Sequence, residues 1–320
     1  MANDVWYDYF LKMLSVKYPK KAQLVTELMD LLCIEQEAVY RRLRKDVIFH
    51  AFEIAKIASA WNISLDEIIN VDSGKIFFQM QPLDYLNPSD QDVHFLQTFI
   101  DDLFRIKDFP DTEYVEICNR VPRPLLASYS YLNQFYLFRW MHQYGNKEET
   151  VPFSQIIISE EKRRITSEYC MAMKQIPNTN FIFSHRLIDN LVWDVRYFHS
   201  IQLITDEEKE CIRKELHAFL DYGVEVASKG CYPETKNKVD FCISQLMVDT
   251  NYGYIHTNEA NMCIVHAFDK CEIYTFNSEM LANFKTWMRL KKRASVQISV
   301  ADEKSRIAFF ARQRQVVESL

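Results

Sequence analysis

The sequence predicts a mostly α chain with a small antiparallel β-sheet near its C-terminus, an α+β protein in two domains. Three observations predict it. Glycine is scarce, five in 320 residues against an ordinary share of about 7%, which leaves little material for turns at positive φ. Apolar residues recur at helical spacing from the N-terminus to about residue 230. Beyond Pro233 short β-branched and aromatic runs alternate with Asp and Asn, the pattern of strands and turns.

Residues 4–16 place Trp6, Phe10, Met13 and Leu14 on one stripe, and Pro19 ends that helix. A second helix runs from about Lys20 to Leu32 and aligns Leu24, Leu28, Leu31 and Leu32. Only Cys33-Ile34 separates it from Glu35–Lys45. Two helices joined so tightly cross steeply, the geometry of a helix-turn-helix. In the segment 35–45, Val39 and Leu43 share one face while Gln36, Tyr40, Arg41 and Arg44 spread over the other. Four basic side chains and no acid lie between Tyr40 and Lys45. Arginine supplies a planar fork for guanine edges or phosphates, and Tyr and Gln supply neutral donors and acceptors, so this helix suits a DNA groove. The plainer alternative is a solvated face on which Glu37 pairs with Arg41 one turn on. Val47–Trp61 reads as a fourth helix, and Ser64-Leu-Asp-Glu67 as a capping box opening a short fifth helix through Ile68 and Ile69.

This order of helices, closing on EIAKIASAWNISLDEII (residues 53–69), resembles the lambda-repressor-like (XRE-type) DNA-binding family over residues 4–70, about a fifth of the chain. Members of that family commonly end in a segment of the form IAKALNISLDELI. The chain departs from the pattern in two places. Lys45-Asp46 stands where many members carry a glycine, and Lys20-Lys-Ala-Gln23 replaces the usual Thr/Ser-Gln start of the second helix. The resemblance implies a transcriptional regulator with helix 35–45 in the major groove. Gln36, Tyr40, Arg41, Arg44 and Lys45 would then meet bases or nearby phosphates, and Lys20, Lys21 and Gln23 would hold phosphates. It also implies double-stranded DNA as partner, read by a homodimer on a two-fold site.

The first domain is expected over 1–72 and a linker over 73–92, in which Lys75–Tyr85 is strand-like. Residues 93–320 then form a domain for dimerisation, sensing or partner contact. Helices are expected at Val93–Ile106, Glu113–Asn119, Leu125–Tyr144, Glu160–Lys174, Phe181–Ser200 and Asp206–Lys229. Strands follow in Val239–Val248, Tyr252–His256, Met262–Phe268 and Cys271–Phe276, and helices Ser278–Lys292 and Asp302–Ser319 close the chain. Two aromatic segments, 129–144 and 181–199, read as core, with a ligand pocket as the functional alternative. This domain leaves room for a small-molecule or protein effector.

Net charge is −6, which excludes a protein coating nucleic acid over its whole surface but permits a local basic patch. No apolar run approaches the roughly 18 residues of a membrane span. Eight scattered cysteines without a C-x-x-C pair, and an acidic, aromatic start unlike a targeting segment, lead us to expect reduced thiols in a cytoplasmic, nucleoid-associated protein. Cys263, His266 and Cys271, with Cys242 and His256 nearby, are the one temptation to a metal site. Along a strand Cys263 and His266 point to opposite faces, so no metal and no cofactor is expected. His185, Asp189, Asp194 and His199 sit among core aromatics without a nucleophile, and no phosphate-binding or nucleophile-elbow glycine motif exists. No catalytic residue is therefore assigned. The competing class is a helical protein-interaction module whose N-terminal bundle does not bind DNA.

Overall fold

The computed structural model describes residues 5–18, 20–61, 63–65, 68, 75–80, 90–144, 151–258, 260–268 and 271–320. The chain divides into two compact units, 1–77 and 78–320.

The described residues of the first unit include the helices α1 (Val5–Lys17), α2 (Lys21–Leu32), α3 (Gln36–Leu43) and α4 (Ala51–Trp61). Their apolar stripes meet in one core of Tyr7, Phe10, Leu14, Leu24, Leu28, Val39, Ile57 and Trp61. Leu65 and Ile68 are helical, and Ile68 joins the core. The rest of the anticipated fifth helix and its capping box, at residues 66, 67, 69 and 70, lies outside the described residues, as does the expected domain end at 72–74.

The second unit overturns the expected small antiparallel sheet. It is built on one eight-stranded mixed sheet, ordered β1-β7-β6-β5-β2-β3-β4-β8. The strands are β1 (Gln79–Met80), β2 (Glu113–Cys118), β3 (Asn178–Phe183), β4 (Lys238–Ser244), β5 (Tyr252–His256), β6 (Asn261–Phe268), β7 (Cys271–Thr275) and β8 (Ser295–Gln297). The centre, β2-β3-β4, is parallel. After β4 the chain returns to the far side of β2 as antiparallel β5, and β6 and β7 continue the meander. β1, from the strand-like stretch 75–85, pairs with β7; residues 81–85 of that stretch, with the rest of 81–89, lie outside the described residues.

Two segments expected to be helical supply the parallel core. Glu113-Tyr-Val-Glu-Ile-Cys118 is a strand rather than a short helix, and Phe181–Phe183 ends a strand rather than opening a helix. The cause is burial on both faces: central parallel strands lose the apolar–polar alternation by which a strand announces itself. On one face Val115, Ile117, Ile182, Cys242 and Cys263 pack under Leu281, Phe284 and Met288 of α11 (Ser278–Arg293). On the other, Tyr114, Phe181, Phe183 and Phe241 meet the remaining helices. These are α5 (Asp90–Ile106), α6 (Arg123–Leu126), α7 (Ser130–Tyr144), α8 (Glu160–Lys174), α9 (Asp189–Ser200), α10 (Asp206–Lys229) and α12 (Glu303–Glu318).

The aromatic stretches fill this layer. Phe138 lies 4.7 Å from Phe198 and 5.6 Å from Phe153, edge to face. The His/Asp grouping dissolves into separate pairs: Asp189 with Arg312, Asp194 with Arg139, and His199 with Asp206. Cys263 packs beneath α11, whereas His266 lies 3.7 Å from Glu116, a residue of the opposite face's cavity wall.

Candidate nucleic-acid interface

Every sequence-predicted contact residue lies in the first unit, on α2 or its N-cap Lys20, on α3, or in the turn after α3. The α2–α3 junction is three residues, Cys33 to Glu35, and Cys33 takes the left-handed conformation at φ 55° that lets the chain reverse. Val39 anchors α3 with no exposed surface, and Leu43 packs against the same core. Helix α3 ends in a paired carbonyl cap. The Lys45 amide donates to the Arg42 carbonyl at 3.1 Å and the Asp46 amide to that of Arg41 at 2.9 Å. Lys45 itself is left-handed at φ 68°. This is the Schellman arrangement, which normally recruits glycine. Lysine here accepts the strain, at the position where many members of the resembled family carry Gly.

Lys20, Lys21 and Gln23 are exposed at the start of α2. The Lys21 ammonium lies over the half-buried Tyr40 ring, 5.6 Å from its centroid, and so brings the α2 N-terminus beside α3. Gln36 and Arg41 are exposed on α3, and among the described residues no carboxylate pairs with Arg41.

The other cations are occupied. Arg42 turns inward and grips Glu53 of α4 through two hydrogen bonds, Nη2 to Oε1 at 2.8 Å and Nε to Oε2 at 2.9 Å. Burial raises the Glu53 carboxyl, but the Arg42 hydrogen bonds and charge and the His50 amide outweigh that and hold it below the ordinary carboxylate range. Arg44 reaches Glu37 at 2.9 Å and Asp46 at 3.0 Å, both in the open. Lys45 pairs with Asp8 of α1. The sequence shows four clustered cations; the fold leaves Arg41 as the one without an ion pair among the described residues.

Family models, curated proteins and solved structures all give no match to this chain. The likeness to the lambda-repressor-like family rests on the residues quoted above.

In the second unit the sequence reading missed Glu116. It stands on β2 at 2% exposure. It accepts hydrogen bonds from the Tyr114 hydroxyl and, at 2.7 Å, from Asn251 Nδ2. The signal was available: an acid inside the apolar run Tyr-Val-Glu-Ile-Cys belongs on no buried strand unless something holds it.

Proposed function

We propose that the chain is a sequence-specific, DNA-binding transcriptional regulator that lays α3 in the major groove, as a homodimer. The observation that supports this most is the Lys21–Tyr40 contact. It sets the phosphate-binding end of α2, with Lys20, Lys21 and Gln23, next to the exposed residues of α3. Free amides at a helix start and flanking lysines suit backbone phosphates, while Gln36 and Arg41 have the chemistry to read base edges. Arg44 and Lys45 serve as secondary contacts, because exposed ion pairs of this kind are worth under about 1 kcal/mol and exchange readily for phosphates. One helix reads few bases, so two copies on half-sites about one helical turn apart are required for specificity.

A second reading is a protein-interaction module. Ile48, in the loop between α3 and α4, and Phe52, on α4, are 52% and 78% exposed, and the neutralised Arg44 and Lys45 fit a protein surface as well as a nucleic acid. Selection of genomic fragments by the purified full chain separates the two. A regulator enriches discrete two-fold sites and loses them with Arg41→Ala. An interaction module enriches none.

A further inference from the structure

Helix α11 ends in Arg289-Leu-Lys-Lys-Arg293, a run of cations in the second unit that the DNA reading does not use. Lys285, one turn earlier, pairs with Glu113 at 2.8 Å. The four cations that follow make no ion pair among the described residues, and Arg289, Lys292 and Arg293 are exposed. Lys292 Nζ donates to Asn180 Oδ1 of β3 at 2.8 Å. Lys291 Nζ donates to the Met247 carbonyl at 3.4 Å and lies 5.6 Å from the centre of the Trp287 ring. A helix C-terminus attracts cations, but its dipole is equivalent to only about half a negative charge. Most of the positive charge is therefore left over.

The loop after β4 brings apolar side chains to the same place. The Gln245 amide donates to the Ala294 carbonyl at 3.0 Å, and with the Lys291 bond this holds Leu246 and Met247 beside the last turn of α11. Leu246, Met247 and Leu290 are 51%, 76% and 53% exposed. Asp249, the one acid between Gln245 and Asn251, makes no ion pair with the cations. Three kinds of partner answer a cationic patch. A nucleic-acid backbone meets the charge but sets protruding Leu and Met against phosphates. A groove for an acidic peptide partly buries the side chains of its own walls, whereas these three stand proud of the surface. A bilayer interface takes both features, apolar side chains at the boundary of headgroups and acyl chains and cations among the headgroups. We propose that this patch docks the second unit on an anionic lipid surface, with Leu246, Met247 and Leu290 inserted and Arg289, Lys291, Lys292 and Arg293 on the headgroups. The chain carries a net charge of −6, so repulsion of the acidic remainder orients the patch towards the membrane.

The proposal does not rest on the DNA reading. The full chain is sedimented with vesicles of phosphatidylcholine and of an equal mixture with phosphatidylserine. Binding is expected to the mixture alone and to weaken as salt rises. Arg289→Gln and Arg293→Gln should each weaken it about fivefold. Met247→Ser/Leu290→Ser, which keeps every charge, should weaken it at least about tenfold. These side chains are exposed, so the variants keep the fold, which circular dichroism checks. Arg41→Ala should leave vesicle binding unchanged, which separates this surface from the DNA reading. No binding to the mixture at low salt overturns the proposal, as does wild-type vesicle affinity in the Arg variants or in the Met247/Leu290 variant. Random-sequence duplex DNA is titrated with the same chains. If the Arg variants lose duplex affinity and keep vesicle affinity, the patch is a nucleic-acid surface and the proposal is wrong.

Discussion

Arg42→Ala tests how the first unit presents α3. The guanidinium is 12% exposed and its partner Glu53 14%. Arg42 also donates to the Ala38 carbonyl at 3.1 Å, and Glu53 accepts the His50 amide at 2.9 Å at the start of α4. Removing one partner of a fully buried pair costs about 3–5 kcal/mol, because the other charge is stranded. Water reaches part of each side chain here and rehydrates the orphaned carboxylate, so we expect a smaller loss of about 2 kcal/mol. Such a loss speeds amide exchange about 30-fold wherever opening of this unit limits it. Hydrogen exchange of the full chain, read by mass spectrometry on peptides covering 36–43 and 51–61, measures it directly. Peptides from the second unit's sheet serve as the internal reference. The double variant Arg42→Met/Glu53→Met removes both charges and should recover most of the protection, since an apolar pair of similar volume replaces the ion pair at little cost. An Arg42→Ala chain with exchange accelerated less than about threefold would refute the reasoning, as would a double variant as labile as the single one.

Other expectations follow from the same packing. Gly223 sits on α10, where an added Cβ would meet Phe310 at 2.9 Å, and that ring is buried. Gly223→Ala should therefore cost about 1–2 kcal/mol net, overpacking outweighing the gain in helix propensity; a urea midpoint equal to or above wild type contradicts this. Acid should loosen both units. Asp189 is raised by burial, but hydrogen bonds from Arg312 and Arg186 prevail and hold it low, as Arg42 does for Glu53. Folded values below the unfolded ones mean this stability is present above about pH 4 and is lost as pH falls through the folded values. Asp189→Asn and Glu53→Gln should each flatten part of the acid unfolding profile followed by circular dichroism, and an unchanged profile would contradict the assignment.

The helices of the first unit were legible because their apolar residues keep a 3.6-residue period and Pro19 marks a break. The parallel core was not. Glu113–Cys118 carries two glutamates and no alternation, and Phe181 and Phe183 lead straight into the aromatic positions of α9, so strand and helix merge in the pattern. Strands β5 to β7 were legible through the Asp and Asn turns between them. The surroundings of α3 were half legible. Periodicity put Val39 inward and Gln36 and Arg41 outward, but Tyr40, expected outward, is half-buried against the core, and the pairings that neutralise Arg42 and Lys45 join residues 11 and 37 positions apart, Arg42 to Glu53 and Lys45 to Asp8, which no local spacing reveals. The left-handed Lys45 was hidden too, because lysine gives no warning of the conformation glycine would advertise.

The central claim, that α3 and the start of α2 read duplex DNA, is tested most directly by the salt dependence of binding. Affinity of the full chain for its selected genomic site is measured across a range of ionic strength, for the wild type, Arg41→Ala and Lys21→Ala. The account predicts a linear fall of log affinity with log salt, and Lys21→Ala reduces the slope by about one phosphate contact. Arg41→Ala costs about 1–3 kcal/mol and relaxes sequence preference if Arg41 reads a base. No duplex affinity even at low salt, or variants indistinguishable from wild type in both slope and preference, would contradict it.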